Sequence, residues 1–143
     1  MKPTQAVCNY ALLQFLPYPE TGEFANVGVL VMCPQPCLLH FKAEKVMPER
    51  VRAMFPRQHE QNFANAMAAI DNDMERAKGS VRDPKMCQRV FGEIVRRRES
   101  TFRFGEVRTI LTDDPQNLVE DLFARYVRME RPTPARALSL VTV

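Results

Sequence analysis

Residues 10–32 read YALLQFLPYPETGEFANVGVLVM, two apolar runs separated by a turn-forming segment. Side chains alternate faces along a strand, so Tyr10, Leu12, Gln14 and Leu16 share one face while Ala11, Leu13 and Phe15 share the other. Both faces are largely apolar. The second run, with Phe24, Val27, Val29, Leu30, Val31 and Met32, is rich in β-branched residues and has the length of a central strand. Gly28 interrupts it, where a bulge or a close backbone approach is expected. Between the runs, Pro17, Pro19, Thr21 and Gly22 supply the fixed and the permissive φ values of a turn. The stretch therefore predicts a β-hairpin. Two polar residues stand in it, Glu23 and Asn26. They read either as a turn-end carboxylate and a loop-bonded amide, or as a polar pair at the mouth of a ligand or partner groove.

Working outward, Cys37–Lys42 (CLLHFK) predicts a third strand after a Pro-rich turn, which completes an antiparallel meander. His40 lies in it between apolar neighbours, where a structural histidine is the commoner reading. Pro48 with Val51, Met54 and Phe55 predicts a short helix that Pro56 ends. Phe63, Met67, Ile70, Met74 and Ala77 then trace one apolar stripe, with Gly79 as the expected stop. Met67 and Met74 on that stripe read as core.

Asp83 and Pro84 are a cap and first-turn pair opening a third helix, on which Cys87, Val90, Phe91, Ile94 and Val95 form the apolar side. Phe102–Thr112 alternates like a strand on both sides of Gly105, predicting two strand pieces joined by a bend. Asp114 and Pro115 repeat the cap signature before a helix predicted over 115–131 with Leu118, Val119, Leu122, Phe123, Tyr126, Val127 and Met129 inward. The apolar tail 132–143 is expected to dock as an edge strand, with strand exchange in a homodimer as the variant. The predicted fold class is α+β: an antiparallel β-meander extended by a later strand and packed on one face by about four helices.

The chain has 143 residues, enough for one core, so a single domain over 1–143 is expected. With 45% hydrophobic and 26% charged residues, the composition is that of a globular protein rather than a disordered one. No apolar run reaches the roughly 20 residues of a membrane span, and residues 1–10 lack the apolar core of a secretory signal, so a cytoplasmic location is expected. On that basis Cys8, Cys33, Cys37 and Cys87 are expected as reduced thiols. Cys33 and Cys37 have no second clustered pair of ligands, so no metal and no other cofactor is expected.

The overall charge is only +3, but its distribution is uneven. From Lys78 to Arg108 there are nine basic residues against four acidic ones, a local excess of five. Arg82, Lys85, Arg89 and Arg96 recur at helical spacing on the polar side of the third helix, and Arg97 and Arg98 extend them. Such a face attracts phosphate backbones or an acidic protein surface. The competing reading is a solvated face whose last arginines complement the helix dipole.

The run YALLQFLPYPETGEFANVGVLV, together with FRFGEVRTILTDDP followed by a helix, resembles an uncharacterised bacterial family, domain of unknown function 3037. The resemblance implies one compact domain found in bacterial genomes and mobile elements. It also implies involvement in regulation or in bacterial or phage defence and counter-defence, and it implies no reaction. The residues themselves show no phosphate loop, nucleophile elbow, Cys–His arrangement or metal motif. The preferred reading is thus a non-catalytic interaction or regulatory protein that meets a protein partner through Arg82, Lys85, Arg89, Arg96, Arg97 and Arg98. The alternatives are a nucleic-acid-binding module on the same face, and a small enzyme centred on Glu23, Asn26 and His40.

Overall fold

The computed structural model describes residues 5–97 and 101–130. The predicted hairpin is its centre. Strand β1 (Ala6–Phe15) pairs antiparallel with β2 (Ala25–Cys33), and β2 pairs antiparallel with β3 (Leu38–Ala43). The connection between β1 and β2 is a 3-10 turn over Pro19–Thr21, closed by Gly22 at φ 75°, a value that glycine adopts without steric cost.

The later strand is two pieces, as the glycine bend predicts. β4 (Phe102–Phe104) and β5 (Arg108–Thr112) both lie antiparallel on the free edge of β1, one beside Leu13–Phe15 and the other beside Ala6–Tyr10. Between them the Gly105 N–H donates to the Leu12 carbonyl at 2.9 Å, so the bend stays tied to β1.

Both expectations for Gly28 hold. Leu13 faces Gly28 while Gln14 faces Asn26, which leaves Val27 as the extra residue of a bulge. Gly28 also approaches β3 closely: a Cβ there would stand 2.8 Å from the Cβ of Ala43 and 3.1 Å from the Lys42 carbonyl oxygen.

The α+β class is as predicted: the described residues form a five-stranded antiparallel sheet and four helices. Helices α1 (Glu49–Met54), α2 (Glu60–Ser80) and α3 (Pro84–Val95) share one face. There Val51, Phe63, Met67, Met74, Cys87, Phe91 and Ile94 meet Ala11, Leu13, Phe15, Leu30 and Met32. Helix α4 (Leu118–Leu122) instead covers the other face, where Leu118, Leu122 and Val127 meet Tyr10, Val29, Val31 and Ile110. Packing on one face thus describes α1–α3, and α4 departs from it because β1 and β2 present apolar side chains to both sides.

Local details also differ. α2 runs through Gly79 to Ser80. Asp83 caps α3 by accepting from the Met86 N–H at 2.9 Å, but Asp114 accepts from the Asn117 side-chain amide instead of a backbone N–H. The helix predicted over 115–131 is a 3-10 turn at Pro115–Asn117, then α4, then a π-helical turn over Phe123–Val127, and Met129, expected inward, lies beyond the turn and is exposed. The tail 132–143, with the docking and strand exchange expected of it, lies outside the described residues.

Cys8 and Cys33 form a disulfide, which corrects the expectation of four reduced thiols. Register continues from Asn9↔Met32, so the two face each other on β1 and β2 with Cα atoms 4.5 Å apart, the separation of a close antiparallel pair. Cys37 and Cys87 are free.

A Gly28→Ala substitution should destabilise the fold by about 1–3 kcal/mol, the usual cost of forcing a methyl group into a filled site. A fall in the urea midpoint of that size is the expected result, and an unchanged midpoint would show that β3 moves away freely.

Candidate functional site

The α3 face carries the predicted cations on its solvent side. Arg82, Lys85, Arg89, Arg96 and Arg97 are all exposed, and Arg98 lies outside the described residues. Arg96 turns back on its own helix, its Nε donating to the Gly92 carbonyl at 3.0 Å. Arg82, Lys85 and Arg89 make no ion pair or side-chain hydrogen bond among the described residues. Glu93, also exposed, interrupts the stripe between Arg89 and Arg96.

Beside this face a concavity of about 320 Å³ runs between α2 and α3. Arg76 and Arg97 wall it together with Asp73 and Glu93, and Arg76 pairs with Asp73. Its charges balance, so the excess positive charge belongs to the convex face and not to the cleft. A second cavity of about 30 Å³ between Leu13, Met74, Phe102 and Phe104 has room for about one water molecule.

The hairpin pair is divided. Glu23 is exposed and lines a groove of about 300 Å³ with Tyr18, Met54, Phe55 and Arg57. Asn26 is half-buried elsewhere: its carbonyl accepts from Arg50 Nη2 at 2.8 Å, and its Oδ1 has no partner. His40 is half-buried with Nδ1 unpartnered, and burial, followed by the charge of Lys78, lowers its pKa. These three residues are not brought together as one polar constellation.

Sequence reasoning missed a polar frame that ties α4 and its π turn to the sheet. Glu44 is buried at 7% exposure and accepts from Arg128 through both oxygens, at 3.0 Å from Nε and 2.9 Å from Nη2. The Arg128 guanidinium and the Lys42 ammonium each stand 5.0 Å from the Phe123 ring centroid. Lys42 also pairs with Glu120. Next to this frame Tyr10 and Tyr126 stack at 6.1 Å, and Arg125 lies 5.6 Å from the Tyr126 ring. Glu44 and Arg128 are 84 positions apart, and nothing in local spacing signals their meeting.

Among the described residues, no three or more His, Cys, Asp or Glu are arranged to hold a metal ion, and no helix is long and apolar enough to cross a membrane. The family model described as "Protein of unknown function (DUF3037)" matches residues 10–127. The chain belongs to this family. The DUF3037 match runs from Tyr10 in β1 to Val127 at the end of the π turn, so it takes in all of α3 and the polar frame except Arg128. No curated protein and no solved structure matches the chain.

Burial, then the hydrogen bond with Tyr126, pushes the Tyr10 phenol up from 10.0 to about 12. The unfolded chain releases this proton near pH 10 while the fold retains it, so stability should fall between pH 10 and 12. A late step is expected in a tyrosinate absorbance titration, and Tyr10→Phe should remove it. A late step that survives the substitution would contradict the assignment.

Proposed function

We propose that this protein acts without catalysis, as an interaction or regulatory protein that docks an acidic partner protein on the exposed face of α3. The observation that carries the reading is the contrast between cations that are paired and cations that are not. Lys42, Arg52, Arg76 and Arg128 each have a carboxylate within reach. Arg82, Lys85 and Arg89 have none among the described residues.

Helix stability does not account for those three. Arg82 and Lys85 stand at the N-terminal end of α3, where the helix dipole is positive and cations are unfavourable, and Arg89 lies mid-helix, where the dipole gives it no stabilisation. Asp83 offsets this locally through its cap. The remaining field favours a negatively charged partner and speeds its encounter. The dipole argument does cover Arg96 and Arg97, so the core of the proposed surface is Arg82, Lys85 and Arg89. A role in bacterial or phage defence and counter-defence fits a protein of this kind. A factor that occludes a nucleic-acid-handling complex needs a charged surface and no chemistry of its own.

The test is a pull-down from bacterial lysate, with and without nuclease, comparing wild type with the R82E/K85E/R89E variant. A stoichiometric protein that survives nuclease and is lost from the variant is the expected result. All three positions are exposed, so the variant should keep its thermal midpoint within a few degrees. Recovery of nucleic acid alone, released with a steep salt dependence, would move the assignment to a nucleic-acid-binding module. Equal partner recovery by variant and wild type would remove α3 from the interface.

A further inference from the structure

The two free cysteines lie at one corner of the fold. Cys87, on α3, is fully buried, and its Sγ donates to the Leu38 carbonyl at 3.2 Å and weakly to the Cys33 carbonyl at 3.6 Å. Those carbonyls belong to the two ends of the β2–β3 turn. Cys37, the residue before Leu38, is exposed, and this adjacency brings its thiol close enough to Cys87 to act on it. The Cys8–Cys33 disulfide belongs to the core on the opposite face, where α4 packs, whereas Cys87 belongs to the core under α1–α3. The four sulfurs thus form two pairs separated by the sheet, one pair bonded and one reduced.

A buried cysteine alone is ordinary packing. Here the buried thiol has an exposed partner thiol, which gives solvent a route to the pair. Burial, then the neighbouring Cys37, pushes the Cys87 thiol up to about 12, so Cys87 holds its proton at neutral pH. The exposed sulfur is the one positioned to react first with a solvent-borne oxidant.

We propose that Cys37 and Cys87 are an oxidation site for hydroperoxides, with Cys37 as the thiol that attacks the peroxide and Cys87 as the resolving one. The Cys37 thiolate attacks a peroxide oxygen, the O–O bond breaks, and Cys37 becomes a sulfenic acid while an alkoxide or hydroxide leaves and takes up the proton that Cys37 released. The Cys87 sulfur then attacks the Cys37 sulfur. The S–S bond forms, and the sulfenic hydroxyl leaves as water with the Cys87 proton. Two thiols are oxidised by two electrons, and the hydroperoxide is reduced by the same two. The product ties the β2–β3 turn to α3 and closes a long loop in the unfolded chain, which stabilises the fold. This inference does not depend on the docking role proposed for α3.

The test treats the purified full chain with hydrogen peroxide, alkylates the remaining thiols, and maps peptides without reduction. A Cys37–Cys87 linked peptide that grows with peroxide is expected, alongside an unchanged Cys8–Cys33 peptide and a Tm raised by several degrees. Cys87→Ser should stop at a Cys37 sulfenic acid that dimedone traps, and Cys37→Ser, at an exposed turn position, should show no peroxide-dependent linkage. The wild-type map alone decides the matter even if Cys87→Ser misfolds. Cys37 found as sulfinic acid or in intermolecular dimers, or Cys87 linked to Cys33, would overturn the proposal.

Discussion

Strand β1 is fixed by hydrogen bonds on both edges, and the rest of the fold depends on that constraint. β2 occupies one edge, and β5 and β4 divide the other, with Gly105 bonded to Leu12 across the gap. The register then decides which side chains reach which core. Ala11, Leu13 and Phe15 go to the helices α1–α3, while Ala6, Cys8 and Tyr10 go to α4. A slip of one residue would exchange the two sets, so the apolar content of each face holds the register in place. Phe15 strengthens the C-terminal end of the strand. Its ring lies 5.6 Å from Phe55, 5.2 Å from Phe63 and 5.1 Å from Phe102, which joins α1, α2 and β4 to β1 at one point.

The parts of this arrangement that were legible in the sequence rest on local rules. The hairpin follows from its prolines and Gly22, the α2 core face from the Phe63–Met67–Met74 spacing, and the start of α3 from Asp83 beside Pro84. Gly105 similarly announces the break between β4 and β5. What was not legible is set by pairing between distant segments. The placement of α4 opposite the other helices, the Glu44–Arg128 contact and the Tyr10–Tyr126 stack all require the sheet to exist first. The Cys8–Cys33 bond is a consequence of strand register, which cysteine spacing does not reveal.

The candidate site divides in the same way. Helical periodicity was enough to place Lys85, Arg89 and Arg96 on the exposed side of α3. It was not enough to separate Arg96, bonded to Gly92, from the cations that have no partner. Nor did proximity in sequence make Glu23 and Asn26 a functional pair, because the bulge at Val27 and the Arg50 contact carry Asn26 away from the groove that Glu23 lines. The charges at Glu44, Arg128, Lys42 and Glu120 fasten α4 and its π turn to the sheet, whereas Arg82, Lys85 and Arg89 at α3 face solvent.

The dependence of both cores on β1 is open to a direct measurement, native-state amide hydrogen exchange over a range of low urea concentrations. Amides of β1 between Tyr10 and Phe15 should exchange only through global unfolding, with the free energy and urea dependence of the whole transition. Amides of β5 and of the α4 segment are free to open at lower cost. Exchange of the β1 amides through a local opening that is insensitive to urea, while β2 stays protected, would contradict the account.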